Sequence, residues 1–429
     1  LFIVEYTQPG AKPLLTDYLT TFTLDELREQ DSLFAGEPRP TRVEAFRMDR
    51  DEIPVFINEF WTAGQRRASS LHEISYRGCF KPQLPAFFIN KLTEEGDLVY
   101  DPFSGRGTTV IEAGLWGRQV ICNDINPLSI LLTKPRFFPP EIEALEERLA
   151  EIPLVSGVRA DLDLSMFYHP DTESEIVSLR HYLEGRRQSA QEDLLDGWIR
   201  MTATNRLTGH SPGFFSVYTL PPNQAVSPES QKKINEKRQQ TPPYRDVKKI
   251  ILKKTRSLLK SLTETQRRNL NQAGREALFL SRDASATTDI PAESVQLVVT
   301  SPPFLDIVQY ANDNWLRCWF NGLDAAEISR GITMARTVKA WEAFMLAVFQ
   351  EFRRIIRPGG WVCFEVGEVR KGRVRLDEVV APLGVAAGFK VEGILINDQA
   401  FTKTSNIWGV DNNNRGTNTN RIVIFTNTP

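Results

Sequence analysis

The sequence predicts an α/β fold: one mostly parallel sheet, interrupted by an inserted module of helices and loops and finished by an antiparallel strand. Three observations carry this. Apolar runs of strand length alternate with amphipathic stretches of helix length in two blocks, 71–136 and 275–429. A glycine-bearing turn joins strand to helix in "DLVYDPFSGRGTTVIEAGLWG", followed directly by another apolar strand. Between them, over 137–274, the alternation breaks and charged helices and Pro/Gly-bearing loops take over.

Residues 1–70 read as an N-terminal extension with a linker near "FAGEPRPTR", and "EIPVFINEFWTAGQRRA" reads as an amphipathic helix. "LPAFFINKLTEE" is a helix ended by Gly96. "DLVYDPF", the glycine turn with its helix, and "RQVICNDIN" then form a βαβ unit of Rossmann-like type. In the insertion, "EIEALEERLAEI" is an acidic helix, and "LTGHSPGFFSVYTLPPNQAVSPES" is a set of loops. "DVKKIILKKTRSLLKSL" sets Ile250, Ile251, Leu258, Leu259 and Leu262 among lysines, which makes a basic amphipathic helix. The second block opens with strand "ALFLSRDA" and strand "VQLVVTSPPF". Helix "WEAFMLAVFQEFRRIIRPGG", strand "WVCFEVGEV", helix "EVVAPLGVAAGF" and strand "KVEGILIND" follow. "NRIVIFTN" is the final strand, paired antiparallel with the one before it.

At 429 residues the chain is long enough for a catalytic-type domain plus an insertion, and 41% apolar with 25% charged residues is ordinary for a soluble protein. No apolar run reaches transmembrane length, and "LFIVEYTQPG" has no basic n-region, so neither a membrane span nor a signal peptide is expected. Four cysteines without a CxxC pair read as reduced thiols, and four scattered histidines give no metal-ligand spacing. Net charge is −2, yet Lys232–Arg268 holds thirteen basic residues against three acidic ones. That segregation suits a polyanion-facing surface, with Lys232, Lys233, Lys237, Arg238, Lys248, Lys249, Lys253 and Lys254 as phosphate contacts; a solvated helical face is the other reading. The polar loop 411–421 either contacts a ligand or is a hairpin loop.

Two motifs carry chemistry. In "DPFSGRGTT", Gly105 and Gly107 let backbone approach a ligand at a strand tip, where the helix N-terminus favours anionic groups. Asp101, Phe103, Ser104, Thr108 and Thr109 belong to the same turn. A G-x-G spacing alone also fits a dinucleotide. Asp124, seventeen residues after Gly107, stands where an acid accepts hydrogen bonds from ribose, with Asn126 beside it; Asp283 and Ala284, ending the next strand, suit an adenine. In "TSPPF", two prolines stop a strand and hold a carbonyl in a fixed direction between the hydroxyls of Thr300 and Ser301 and the ring of Phe304.

Together "DPFSGRGTT" and "TSPPF" resemble the S-adenosylmethionine-dependent DNA amino-methyltransferases, which methylate exocyclic amines of adenine or cytosine. The resemblance covers about 71–136 and 275–429. The serine form, Ser301-Pro302-Pro303-Phe304, looks most like the N4-cytosine branch; N6-adenine and RNA-base methylation are the alternatives. The resemblance implies S-adenosyl-L-methionine as cofactor, the Ser301–Phe304 stretch as the catalytic clamp, and double-stranded DNA as partner. It places a further cofactor segment at "FKPQLPAFF", with Lys81 and Pro82, and target recognition in 137–274. The reaction implied is base flipping and direct in-line transfer, without metal or covalent intermediate; the Pro-Cys-Gln stretch of C5-cytosine chemistry is absent. A cytoplasmic, nucleoid-associated monomer or weak dimer with no obligatory protein partner is expected. The insertion's position, between the second and third strands of the sheet, departs from the family's usual order.

Overall fold

The computed structural model describes residues 15–23, 40–61, 68–221, 225–303, 310–332, 337–369, 374–398 and 419–428. Helix α1 (Leu15–Thr21) precedes a hairpin of β1 (Arg42–Met48) and β2 (Asp51–Asn58). Then come α2 (Gln83–Leu92), β3 (Leu98–Asp101), α3 (Thr108–Leu115), β4 (Gln119–Asn123) and α4 (Leu128–Thr133). The insertion supplies α5 (Ile142–Glu151), α6 (Pro170–Gln188), α7 (Leu194–Arg206), α8 (Pro228–Arg238), α9 (Val247–Leu259) and α10 (Glu264–Glu276). The second block holds β5 (Leu278–Leu280), β6 (Val295–Thr300), α11 (Tyr310–Asn321), α12 (Ala325–Gly331), α13 (Val338–Ile355) and β7 (Ile356–Val366). A short hairpin, β8 (Glu368–Val369) and β9 (Val374–Arg375), leads to α14 (Leu376–Ala386), β10 (Lys390–Asp398) and β11 (Thr419–Thr426).

Nine strands form one sheet in the order β1-β2-β10-β11-β7-β6-β3-β4-β5. β5, β4, β3, β6 and β7 run parallel, while β11 is antiparallel to both β7 and β10. The final strand thus pairs as the sequence predicts. Strand side chains alternate between two apolar clusters: Val99, Leu297 and Val299 join one, Tyr100 and Val298 the other. The second cluster is capped by α13 and α14, through Met345, Phe349 and Val380. The first takes Phe88 of α2, Val110 of α3 and also Trp198 and Ile251 of the insertion. The inserted helices therefore share the core of the sheet. At their junction Gly114 and Gly274 both abut Phe137, where an added Cβ would meet the ring at 2.7 Å and the Phe137 Cβ at 2.6 Å, respectively.

One element differs from the sequence reading. "EIPVFIN" is strand β2, not the start of a helix. Ile53 and Val55 face one cluster and Phe56 the other, the period-2 pattern of a strand. β2 pairs antiparallel with β1 and, through Val55 opposite Ile394, parallel with β10. Its β-branched residues outweigh the weak helical periodicity, so the region read as an extension supplies one edge of the sheet. Among the described residues, no helix is long and apolar enough to cross a membrane.

Candidate active site

Strand order reverses between β3 and β6: the chain steps from β3 outward to β4 and β5, then returns to the far side of β3. Such a switch point opens a crevice at the strand C-termini. Asp101 ends β3 and Thr300 ends β6, and the Thr300 hydroxyl donates to Asp101 Oδ1 at 2.7 Å. Thr109 Oγ1 donates to the Val299 carbonyl at 3.0 Å. The two motifs are thus joined side to side. Burial pushes the Asp101 carboxyl up to about 7, against hydrogen bonds from Thr300 and the Phe103 amide.

Gly105 and Gly107 have φ of 53° and 74°, a region that penalises a side chain. At Gly107 an added Cβ would lie 2.4 Å from Thr133 Oγ1. The Gly105 amide donates to Asp124 Oδ2 at 2.8 Å and the Asn126 amide to Oδ1 at 2.9 Å. Asp124 therefore shapes the turn as well as facing the crevice, and burial raises its carboxyl to about 6.

Between the glycines, Arg106 reaches back to the carbonyls of Ile74 (2.7 Å), His72 (3.2 Å) and Phe80 (3.4 Å). It staples segment 72–80 to the glycine turn. Ser75 in that segment accepts from Asn205 of α7 at 3.2 Å and from Arg317 of α11 at 3.0 Å. Arg77 pairs with Asp313 at 2.8 Å, and Asn126 donates to the Tyr76 hydroxyl at 3.3 Å. Beneath the turn, buried Arg136 donates to the carbonyls of Leu132, Leu71 and Arg106, and burial lowers its guanidinium to about 9.

At the β6 end, burial raises the Glu365 carboxyl of β7, against the lowering influence of the nearby Ser301 hydroxyl and of Asn420, which donates to Glu365 at 3.0 Å. The Trp341 indole N–H donates to the Pro303 carbonyl at 3.1 Å. Among the described residues, the Pro302 carbonyl has no protein partner.

These elements enclose one cleft of about 910 Å³, open to solvent. Of the residues expected from sequence, Asp101, Phe103, Ser104, Gly105 and Thr108 line it from the turn. Asp124, Asn126, Asp283 and Ala284 line it from the neighbouring strand ends, and Ser301, Pro302 and Pro303 from β6. Gly107, Thr109 and Thr300 do not line it: Thr109 and Thr300 are buried behind it, and Gly107 packs on Thr133. Lys81 and Pro82 do not line it either, although the adjacent Phe80 does. Phe304 lies outside the described residues, as does most of loop 411–421. Sequence reasoning missed Tyr76, Cys79, Ile125, Ile332 and Phe344. The aromatic and glycine content of "SYRGCF" marks the first two; Phe344 on an amphipathic helix cannot be told from a core residue.

The basic segment looks different in space. Lys254 and Lys260 lie 3.2 and 3.8 Å from Glu73, Lys232 lies 3.7 Å from Asp163, and Arg256 pairs with Glu146. Lys249 pairs with Asp246 at 3.0 Å, Lys248 donates to the Ile152 carbonyl at 2.7 Å, and Arg238 stacks on Tyr218. Burial lowers the Lys254 ammonium to about 8. Of the eight expected phosphate contacts, Lys233, Lys237 and Lys253 are exposed with no ion pair among the described residues.

A glycine turn facing acidic strand ends across a switch point is the arrangement of α/β proteins that bind nucleotide cofactors. Residues 24–134 match a family model described as DNA methylase. The chain is 22% identical over 295 residues to the type II methyltransferase M.BsoBI of Geobacillus stearothermophilus, covering 65% of this chain and 58% of that one. It is 32% identical over 108 residues to the type II methyltransferase M.MjaII of Methanocaldococcus jannaschii, covering 25% of this chain and 19% of that one. From the same organism, a tRNA (guanine(10)-N2)-dimethyltransferase is 40% identical over 63 residues, covering 14% and 18%. Each match spans less than two thirds of the relative. These matches support an amino-methyltransferase family for this chain, N4 and N6 members together.

Proposed function

We propose that the chain is an S-adenosylmethionine-dependent DNA amino-methyltransferase acting on the N4 amine of a cytosine flipped out of duplex DNA. The observation that carries this is the meeting, in one cleft, of the glycine turn with Asp124 and of the Ser301-Pro302-Pro303 strand end. The residues present fit the cofactor: Gly105 of the turn lines the cleft with its amide held by Asp124, and Asp101 and Asp124 suit a cationic ligand. When bound, S-adenosylmethionine supplies a methyl group on a cationic sulfur, placed for direct transfer to an amine.

The chain's own groups prepare that amine. An exocyclic amine is a weak nucleophile because its lone pair is delocalised into the ring. Acceptors for both amine hydrogens localise the lone pair on nitrogen. The free Pro302 carbonyl is one acceptor. Ser301, which lines the cleft beside Glu365, is the other, and Glu365 is the group suited to take its hydroxyl proton. Both are held in place before substrate arrives, which is how preorganised dipoles lower a barrier. Serine at the first position of the motif supports cytosine over adenine.

Incubation with cofactor and mixed-sequence duplex DNA, digestion to nucleosides and mass analysis tests this, with N4-methylcytosine expected. N6-methyladenine as sole product overturns the cytosine assignment. Methylated RNA with unmodified DNA overturns the DNA assignment, a result the tRNA-modifying relative makes worth including.

Cofactor affinity is expected to rise with pH. Asp101 and Asp124 are raised to about 7 and 6, so at pH 5 both are largely neutral. A cationic ligand favours their ionised forms, so binding near pH 6 releases protons and tightens as pH rises from 5 to 7.5. Calorimetric titration in two buffers of different ionisation enthalpy measures the released protons; affinity that is flat across this range would refute the assignment of both carboxylates.

A further inference from the structure

The segment after β6 cannot anchor itself. Pro302 and Pro303 have no N–H to donate, so everything that fixes them must come to their carbonyls or to neighbouring side chains. Thr300 is held by Asp101 and Pro303 by Trp341, and Ser301 lies beside Glu365. Trp341, in the first turn of α13, is 2% exposed, and its indole sits in the apolar cluster on that face of the sheet. A buried indole N–H needs a partner. This one is the loop carbonyl rather than anything on its own helix. One turn on, Phe344 lines the cleft with its ring 6.5 Å from that of Phe103, so the same stretch of α13 grips the loop and walls the site.

We infer that Trp341 is a positioning residue for the methyl-accepting base: by fixing the Pro303 carbonyl it sets the direction of the free Pro302 carbonyl. Proline already restricts φ at both positions, so holding the chain on either side of Pro302 leaves its carbonyl little freedom. The inference rests on the amino-methyltransferase reading. It makes α13, which lies outside both sequence motifs, part of the apparatus that presents the amine. The packing of Trp341 and the hydrogen bond of Trp341 are separable, because an aromatic of the same burial can lack the N–H.

The test compares wild type with Trp341→Phe and with a variant in which β-(3-benzothienyl)alanine replaces Trp341, swapping N–H for sulfur at nearly constant volume. Expected is a fall in kcat of about 10- to 100-fold for both, with cofactor Kd and the KM for DNA within twofold of wild type. Wild-type kcat in the benzothienyl variant overturns the inference. So does a loss seen only in the phenylalanine variant together with a lowered Tm, which assigns the residue to packing. The wild-type product assay reports separately on the parent reading: a wild type that methylates no nucleic acid sinks the proposed function, whereas an active wild type with an equally active variant sinks only the role of Trp341.

Discussion

Replacing Ser301 with alanine is expected to lower the methyl-transfer rate by about 10²- to 10³-fold, or about 3–4 kcal/mol in activation free energy, while cofactor Kd changes by less than twofold. On the proposed reading the hydroxyl would meet the reacting amine, whereas the cofactor would rest on the turn, Asp101 and Asp124, which the substitution leaves in place. The exchange also removes the neighbouring hydroxyl that lowers the Glu365 carboxyl, leaving Asn420. The Glu365 carboxyl, already raised by burial, then rises further. Because the folded form holds that proton more tightly than the unfolded form, its favourable contribution is complete below the ordinary carboxylate range and is lost as pH climbs through the folded value. With that value raised, Ser301→Ala is closest to wild type in acid and falls behind it as pH increases. Single-turnover rates with equilibrium unfolding at two pH values measure both effects. An unchanged rate would remove Ser301 from the site.

The second large effect is structural. Gly107→Ala is expected to destabilise the fold by about 2–5 kcal/mol, summing the left-handed φ of 74° and an overpacked contact. The added Cβ would lie 2.4 Å from Thr133 Oγ1 and 2.5 Å from Cγ2. Thr133 Oγ1 is buried with no hydrogen-bond partner among the described residues, so removing it forfeits no hydrogen bond there. Gly107→Ala with Thr133→Ala should therefore recover the contact part, about 1–3 kcal/mol, and keep the backbone part. Urea unfolding of the four species reads the coupling. Strict additivity would show that the helix behind the turn gives way instead. Cofactor affinity should follow stability here, since the same turn floors the cleft.

The parts of the site legible in the sequence are those where backbone conformation demands a residue type. Gly105, Gly107 and the proline pair announce themselves, because positive φ and missing donors leave few substitutes. Asp124 is legible from its distance along the chain after the turn. What stayed hidden acts through space. Arg106 looks like a stray cation inside the motif, yet it pins segment 72–80 by carbonyls that no periodicity reveals. The upstream cofactor segment was placed at Lys81 and Pro82; the cleft wall comes a few residues earlier, at Tyr76 to Phe80. The basic run is less legible for a similar reason: Glu73, Glu146 and Asp163, which pair with several of its cations, lie outside it in sequence. At β2 a short apolar run carries both helical and strand periods, and only the partner strand β10 decides.

β11 lies inside the sheet, not at its margin. β1, β2 and β10 reach the remaining strands only across it. During synthesis the switch-point half can collapse early, but the sheet stays in two pieces until Thr426 has been made. The same strand brings Asn420 to Glu365, and Glu365 meets Ser301. The surroundings of the proposed amine acceptor are thus completed by β11. On the proposed reading, a growing chain would complete the cleft lining, which runs as far as Phe344, before β11 completes the surroundings of Ser301.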